Sequence, residues 1–445
     1  MQVFRRVLFW CHLVVGVIAG LVIFLMSVTG VLLTYEKQMR AWADARSYEV
    51  TAPAPGAPRL GVEALLARVQ AAEPGSPTTV RVRQDPYAAA EVAFGREKTL
   101  FVDPYSGQVL GEGSKGVRRF FTVVTDWHRW LGRAGESRTW GRAITGAANL
   151  GFLFLVMSGF YLWWPPSWNR RAFRNILWFR RGLRPKARDF NWHNVAGFWM
   201  LIPLFIIVLS GVVISYPWAG NAVYRLFGET PPPRPGAPGP GAQGGAGARG
   251  AGEAGRGSGA EPGAAGVAGQ ADRGRGAASE GARAAGEPGR GRVAGADGAR
   301  GAGEGGRGGE AVSLAGLDAA WARAIGHAPG WRTIQMQIPT APDGPVTFNI
   351  DRGTGGQPQK QAELKVERGT GRVAEWTTFS DRTPGRRTRS ILRFGHTGEV
   401  LGLPGQTLAG IASLAAALLA FTGISLALRR FGAWTRRRRD PSPAS

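Results

Sequence analysis

The sequence predicts an α-helical membrane protein with four transmembrane helices, arranged as two parallel repeats, together with two small α+β domains and a disordered insertion rich in Gly, Ala and Arg. Four apolar segments of the 445-residue chain carry no charged residue and are long enough to cross a bilayer. They cover residues 7–34, 143–164, 195–218 and 407–428. We take the first as a retained span, because its apolar run is too long for the core of a signal peptide.

Two stretches between the apolar segments have the pattern of small folded domains. Apolar residues at helical spacing predict one helix in each, over 61–72 in the stretch 59–117 and over 314–325 in the stretch 311–380. Alternating apolar and polar residues predict several strands in both stretches. These strands lie at 79–83, 90–94, 100–110 (a hairpin), 331–338, 346–350, 362–366 and 373–377.

A low-complexity segment separates the third span from the second of these stretches. Residues 231–310 are rich in glycine and contain no aromatic residue. Such a composition cannot bury enough apolar surface to order the chain, so we predict a disordered insertion. A collagen-like structure is excluded because glycine keeps no strict period of three.

The second half of the chain repeats the first. Three glycines in and before the second span, Gly141, Gly146 and Gly159, recur around the fourth span at an offset of 264 residues. Each predicted span also has a hydroxyl residue followed by glycine near its end. These Ser/Thr-Gly pairs are Thr29-Gly30, Ser158-Gly159, Ser210-Gly211 and Thr422-Gly423. Small residues of this kind let helices, or a flat cofactor, approach closely.

The formal charge of +24 raises the question of nucleic-acid binding, but the positions of the charges favour a membrane topology instead. Three segments outside the spans, 1–6, 165–192 and 429–445, hold 16 Lys and Arg residues against two acidic residues. Cytoplasmic segments of membrane proteins carry such an excess of positive charge. The sequence therefore predicts a multi-pass protein with both termini in the cytoplasm and no nucleic-acid partner.

Four of the five histidines lie at the ends of the predicted spans. His12 and His193 each begin an outward-going span and lie 18 residues before its final glycine, which corresponds to roughly 27 Å of helix. Their matched depth places both on the cytoplasmic side. His128 and His396 each precede an inward-going span, so both lie on the outer side. The topology therefore pairs His12 with His193 and His128 with His396.

Paired histidines in a membrane protein favour haem binding. Neutral imidazole is a common axial ligand of haem iron, and two histidines on facing helices can hold one haem between them. The four histidines are therefore predicted to be the axial iron ligands of two b-type haems, which would form an electron path across the bilayer. The alternative for each histidine alone is a headgroup contact or a helix-end partner. His327 has no partner and is predicted to be structural.

The outer histidine pair is the less regular of the two. His128 lies 13 residues before Gly141, whereas His396 lies 9 residues before Gly405. The repeat therefore supports this pair less directly than it supports His12 and His193.

Arginines are concentrated on the outer side of the second and fourth spans. One interpretation is that they belong to solvated linkers or contact lipid headgroups, and the other is that some bind haem propionates or an anionic substrate. The residues concerned are Arg118, Arg119, Arg129, Arg133, Arg138 and Arg142 before the second span, and Arg382, Arg386, Arg387, Arg389 and Arg393 before the fourth.

Taken together, these segments resemble the PepSY-associated transmembrane family, the iron-regulated inner-membrane proteins that include ferric-siderophore reductases. The resemblance covers both halves apart from the insertion. It rests on WCHL at 10–13 with Gly16, the hairpin VDPYSGQV at 102–109, WHRWL at 127–131, WHN at 192–194 and GHTG at 395–398. It implies that the two small domains are periplasmic and PepSY-like, and that the four span-end histidines are the haem-ligand candidates.

The resemblance also implies a function. It is that of a haem-containing reductase of the bacterial inner membrane, which passes electrons to a periplasmic ferric siderophore and so releases iron. No G-x-G-x-x-G follows a predicted strand, so the electrons must come from a separate cytoplasmic or quinol donor. Two alternatives stay open: a non-enzymatic PepSY binding or regulatory protein on a membrane anchor, and a haem protein with a different periplasmic acceptor.

Overall fold

The computed structural model describes residues 2–232 and 313–439, apart from 49, 51–53, 55, 96–97, 165–168, 340 and 342–343. The predicted disordered insertion therefore lies outside the described residues, except for 231–232. The described helices are α1 (Gln2–Leu33), α2 (Glu36–Ala45), α3 (Val62–Ala72), α4 (Lys115–Trp130), α5 (Arg138–Trp163), α6 (Arg170–Leu177), α7 (Pro185–Trp199), α8 (Leu201–Ser215), α9 (Pro217–Arg225), α10 (Leu317–His327), α11 (Pro384–His396) and α12 (Gly402–Arg439). The strands are β1 (Thr79–Arg83), β2 (Ala90–Phe94), β3 (Lys98–Val102), β4 (Val109–Gly111), β5 (Thr333–Gln337), β6 (Val346–Asp351), β7 (Gln361–Val366) and β8 (Val373–Thr378).

Within these residues, three helices are long and apolar enough to span a membrane, and a bent pair of helices brings the number to four if it counts as one span. The three are α1, α5 with the turn before it, and α12. They coincide with the predicted spans 7–34, 143–164 and 407–428. The length and composition of these helices make the chain a membrane protein.

The third predicted span, 195–218, is formed by two helices, α7 and α8, whose axes differ in direction by 72°. The break falls at Met200, between the two helices. Pro203 lies in the first turn of α8, where its missing N–H leaves no helical hydrogen bond unmade. Pro217 begins α9. The segment that carries His193 is therefore inclined to the apolar helix that follows it.

The strands of both halves join in one antiparallel sheet. Its order is β4-β3-β2-β1-β5-β6-β7-β8, so each half contributes four strands and β1 pairs with β5. This pairing runs from Thr79 opposite Gln337 to Arg83 opposite Thr333. Two separate sheets would each leave an edge strand with unpaired backbone groups, and the contact between β1 and β5 satisfies those groups. The two predicted α+β domains thus share a single sheet.

The core of this outer region lies between one face of the sheet and helices α3 and α10. Because successive strand side chains point to opposite faces, alternate residues are buried. Val80, Val92, Ile334, Phe348 and Leu364 are fully buried on the helix-covered face. The same alternation predicted these strands from the sequence.

The N-termini of α3 and α10 cap each other. The backbone N–H of Glu63 donates to Oδ1 of Asp318 at 3.1 Å, and the backbone N–H of Asp318 donates to Oε1 of Glu63 at 3.0 Å. Each carboxylate accepts from a backbone N–H in the first turn of the other helix, where that N–H has no partner of its own. Each carboxylate therefore also lies at the positive end of the other helix dipole. This exchange ties the first half of the chain to the second.

Glycines bring the spans close together. A Cβ added at Gly20 of α1 would lie 3.1 Å from Ile424 of α12. A Cβ at Gly151 of α5 would lie 3.3 Å from Val15 of α1. Larger residues at these positions would push the helices apart, so the small residues determine how closely α1 packs against α5 and α12.

Asp318→Ala removes one half of the reciprocal cap. We expect the free energy of unfolding to fall by about 1 kcal/mol, the usual cost of losing a helix N-cap side chain. The measurement is the thermal midpoint of the purified protein in detergent. Asp318→Asn keeps an acceptor oxygen in place, so its thermal midpoint should fall by less. An unchanged midpoint for Asp318→Ala would contradict the capping role.

Candidate functional site

Each of the four span-end histidines contacts the hydroxyl residue of a Ser/Thr-Gly pair on a neighbouring helix. In every case the contact joins Nδ1 of the imidazole to the side-chain oxygen. The distances are 2.8 Å for His12 and Ser158, 3.0 Å for His193 and Thr422, 3.0 Å for His128 and Thr29, and 3.3 Å for His396 and Ser210. Both sets of residues stand out in the sequence, but the contacts between them are seen only in the structure.

The hydroxyl groups determine which imidazole nitrogen carries the proton. Each hydroxyl already donates its hydrogen to a carbonyl about one turn earlier in its own helix, at 2.6 to 2.8 Å. A hydroxyl has one hydrogen, so its oxygen can only accept from the imidazole. The Ile207 carbonyl, which can also only accept, takes a bond from Nδ1 of His396 at 2.8 Å. Nδ1 is therefore the donor, and the lone pair of Nε2 is available to a ligand.

The glycine of the Ser/Thr-Gly pair lies beside the imidazole in three of the four cases. A Cβ added at Gly30, Gly159 or Gly423 would lie 3.5–3.7 Å from Cε1 of the histidine that the preceding hydroxyl contacts. The fourth, Gly211, faces the side chain of Asn149 instead. The hydroxyl thus orients the ring, and the glycine leaves room for its edge.

His128 and His396 lie on two helices that the sequence analysis did not predict, α4 and α11. Helix α4 packs against α1 and α5, and α11 packs against α8 and α9. Gly141 and Gly405 are each the fourth residue of the helix that follows. The histidine-to-glycine spacing is four residues longer in the first half. Two of these residues continue α4 beyond His128, whereas α11 ends at His396, and the other two lengthen the connection to the next helix.

The structure brings His128 and His396 together. Their ring centroids are 6.4 Å apart, with the ring planes tilted by 60°. A metal atom bound to both Nε2 atoms would put the centroids roughly 6.2 Å apart, since each metal–nitrogen bond is about 2.0 Å and each nitrogen lies about 1.1 Å from its ring centre. The spacing of the outer pair therefore fits one metal atom between the rings.

Haem iron suits this pair because it brings most of its own ligands. In the described part of the chain, no group of three or more His, Cys, Asp or Glu side chains could hold a metal ion. Haem iron arrives with four porphyrin nitrogens and needs only axial ligands from the protein. Burial, and to a smaller extent the neighbouring His396, lowers the pKa of His128 to about 4. Burial also lowers the pKa of His396, so both rings are kept in the neutral form that binds iron.

His12 and His193 lie at the far end of the helical bundle, which is the end away from the sheet. His12 is near the start of α1, whereas Thr29, which contacts His128, is near its end. These two positions are separated by roughly 26 Å of helix. His193 contacts Thr422, which lies in the second half of α12. The predicted pairs thus occupy opposite ends of the same bundle.

Arginines lie close to the outer pair. The guanidinium groups of Arg129 and Arg138 lie over the Trp130 ring, 5.0 and 4.5 Å from its centroid. Arg142 donates to a backbone carbonyl of α8 at 3.1 Å. Partial burial lowers the pKa of Arg129, and the neighbouring Arg142 and Arg393 lower it further. This concentration of positive charge favours an anion at the sheet end of the bundle.

Two other residues from the sequence analysis have structural contacts. Arg118, one of the arginines considered for anion binding, forms an ion pair with Asp44 at 2.6 Å and lies over the Phe101 ring. His327 packs edge-on against Trp376, with ring centroids 4.8 Å apart. These contacts place both residues outside the two histidine pairs.

One protein family matches the sequence from residue 9 to residue 430, the PepSY-associated TM region. The chain belongs to this family. The match confirms the resemblance seen in the sequence motifs, and the PepSY-associated TM region includes all four histidines and their hydroxyl partners. No curated protein matches the chain.

Thr29→Val removes the hydroxyl acceptor for Nδ1 of His128 and keeps the shape of the side chain, while the Met26 carbonyl stays in place as a second acceptor. If haem binds at the outer pair, we expect its affinity to fall about tenfold, the lower end of the usual effect when a metal-ligating histidine loses a hydrogen-bond partner. Haem content across a haem titration measures this. Thr122→Val is the matched control, since the Thr122 hydroxyl donates to a carbonyl of α4 itself. Equal losses in both variants would contradict the role of Thr29.

Proposed function

We propose that the chain is a haem-containing reductase of the bacterial inner membrane, which passes electrons across the bilayer to a ferric iron chelate of the siderophore type. His12 and His193 would hold one b-type haem, and His128 and His396 would hold the other. The membrane location rests on the spans and on the family.

The geometry of His128 and His396 carries this proposal. Their rings are spaced for one iron atom, and the hydrogen bonds at Nδ1 leave Nε2 of each ring available. A headgroup contact, the alternative for each histidine alone, gives no reason for two neutral rings at this separation. The same hydroxyl contact at His12 and His193 supports a second site of the same kind.

Bound haem would supply one-electron redox chemistry. The chain's own residues hold and orient it. The hydroxyl acceptors keep each imidazole in one orientation and increase the basicity of Nε2, which strengthens its bond to iron. Ser and Thr side chains on neighbouring spans would thereby contribute to the reduction potential of each site.

The direction of electron flow follows from the charges at the two ends of the bundle. The far end, which carries His12 and His193, also carries the basic residues of 169–192 and 429–439, so we assign it to the cytoplasm. The sheet then lies in the periplasm, on the side of His128 and His396. Electrons from a cytoplasmic or quinol donor would enter at the first pair and leave from the second.

The arginines beside the outer pair favour a negatively charged group there. Arg129, Arg142 and Arg393 offer guanidinium groups to haem propionates or to an anionic chelate. Transfer of one electron converts the chelated ferric iron to ferrous iron. The oxygen ligands of a siderophore hold ferrous iron less tightly, so reduction would release the metal.

Oxidised and dithionite-reduced visible spectra of the purified protein should show two b-type haems per chain. We expect His12→Ala to remove one haem and His396→Ala to remove the other. His327→Ala, the matched control outside both pairs, should keep two. A protein that contains no haem after expression with haem supplied would overturn the reductase proposal and favour a non-enzymatic binding protein.

Arg129→Gln removes one positive charge beside the outer pair. We expect haem retention at that pair, or the rate of reduction of an anionic ferric chelate, to fall about tenfold, the effect of losing one charge-assisted hydrogen bond. Arg119→Gln removes the same charge from an exposed position on the same helix and is the control. Unchanged haem content and reduction rate in Arg129→Gln would assign these arginines to solvent or lipid contacts.

A further inference from the structure

The far end of the bundle carries a cavity that the proposed haem sites do not use. Its volume is about 600 Å³, a size typical of small-molecule sites. The lining combines three arginines with two aromatic rings and an apolar residue of α12. These residues are Phe179, Arg180, Arg181, Arg188, Trp192 and Leu418.

The cavity lies beside the inner histidine pair. Trp192 directly precedes His193 on α7. Leu418 lies four residues before Thr422, the residue that contacts His193. Residues four apart share one face of a helix, so the surface that orients His193 continues into the cavity. A molecule bound there lies next to the point where electrons enter in the proposed function.

The wall of the cavity is held by hydrogen bonds. The side chain of Asn191, which is buried, accepts from the backbone N–H of Arg180 at 2.9 Å and donates to the Trp178 carbonyl at 3.2 Å. The indole N–H of Trp199 donates to the Leu177 carbonyl at 3.0 Å. These bonds tie the segment between α6 and α7 to α7. The cavity is therefore preformed, which lowers the entropic cost of binding.

The charges around the cavity favour an anion. Arg188 pairs with Asp189 at 2.9 Å, but the same carboxylate also lies 3.6 Å from Arg429. One negative charge is thus divided between two guanidinium groups, and Arg181 adds further positive charge to the lining. A phosphate monoester, with a charge of about −1.5 to −2 at neutral pH, would balance this excess. An uncharged quinol would not.

The aromatic rings favour a flat ligand. Phe179 and Trp192 meet edge to face, with ring centroids 6.4 Å apart. Both side chains are exposed. Exposed aromatic rings of this kind stack on the ring systems of bases and other flat heterocycles.

We propose that this cavity binds a diffusible electron donor of the flavin mononucleotide type, with its phosphate on the arginines and its ring system against Phe179 and Trp192. The inference rests on the proposed function, for which it names the donor. A flavin hydroquinone loses two electrons and two protons on oxidation, which balances the one-electron reduction of two ferric chelates.

The test is flavin binding by the full-length protein in phosphatidylcholine nanodiscs, followed by the quenching of flavin fluorescence. Oxidised flavin mononucleotide should bind with an affinity at least about tenfold higher than that of riboflavin, which has the same ring system and no phosphate. Arg181→Gln should remove this preference. Arg174→Gln removes the same charge from α6, outside the cavity lining, and this variant should still prefer flavin mononucleotide to riboflavin.

Equal binding of the two flavins, or equal losses in the two arginine variants, would overturn the donor site. Displacement of the flavin by phosphatidylglycerol in the nanodiscs would also overturn it, since the cavity would then hold a lipid phosphate. Haem content is read from the reduced spectrum of the same samples. A haem-free protein that binds flavin contradicts the reductase proposal, whereas a haem-loaded protein that binds no flavin contradicts only the donor site.

Discussion

The helical bundle depends on one contact, made four times, between an imidazole Nδ1 and a hydroxyl that has already donated its own hydrogen within its helix. At His396 the Ile207 carbonyl is the closer acceptor, at 2.8 Å against 3.3 Å for the Ser210 hydroxyl. A Ser or Thr inside a helix commonly bonds to a carbonyl of the preceding turn. Its oxygen then only accepts, and this determines the tautomer of the ring that it meets. In lipid, no water competes for the bond. The reactive nitrogen of each histidine is therefore chosen by the neighbouring span.

The length of this bond constrains the helices that make it. Ser and Thr are short, so an Nδ1–O distance near 3 Å requires the two helix backbones to approach closely. For His12 and Ser158, Gly151 at the contact of α5 with α1 allows that approach. Close packing of α1 against α5 is therefore also what orients the His12 ring, and a bulky residue at Gly151 would disturb this ring without touching it.

How far the sequence predicts the structure depends on the range of the interaction. Hydrophobic length locates α1, α5 and α12, and alternation locates the strands, because both are local properties. The pairing of β1 with β5 joins edge strands from different halves and is not visible in the sequence. The bend at Met200 leaves the hydropathy unchanged, and its sign in the sequence is Pro203, three residues later. At the site, the predicted topology is enough to pair His128 with His396, because both precede an inward-going span. Their hydroxyl partners depend on helices α4 and α11, where numerous arginines hide the helical spacing of the apolar residues.

The hydroxyl bonds and the histidine pairs are distributed differently between the two halves of the chain. Each hydroxyl bond joins residues of the same half, such as His12 with Ser158, whereas His128 and His396 come from different halves. The two halves of the sheet are likewise joined by one strand from each half of the chain, β1 and β5. The halves are therefore related like the two subunits of a homodimer. Duplication and fusion of a half-length gene accounts for this arrangement, and the ancestral subunit would have completed each histidine pair only by associating with a second copy of itself.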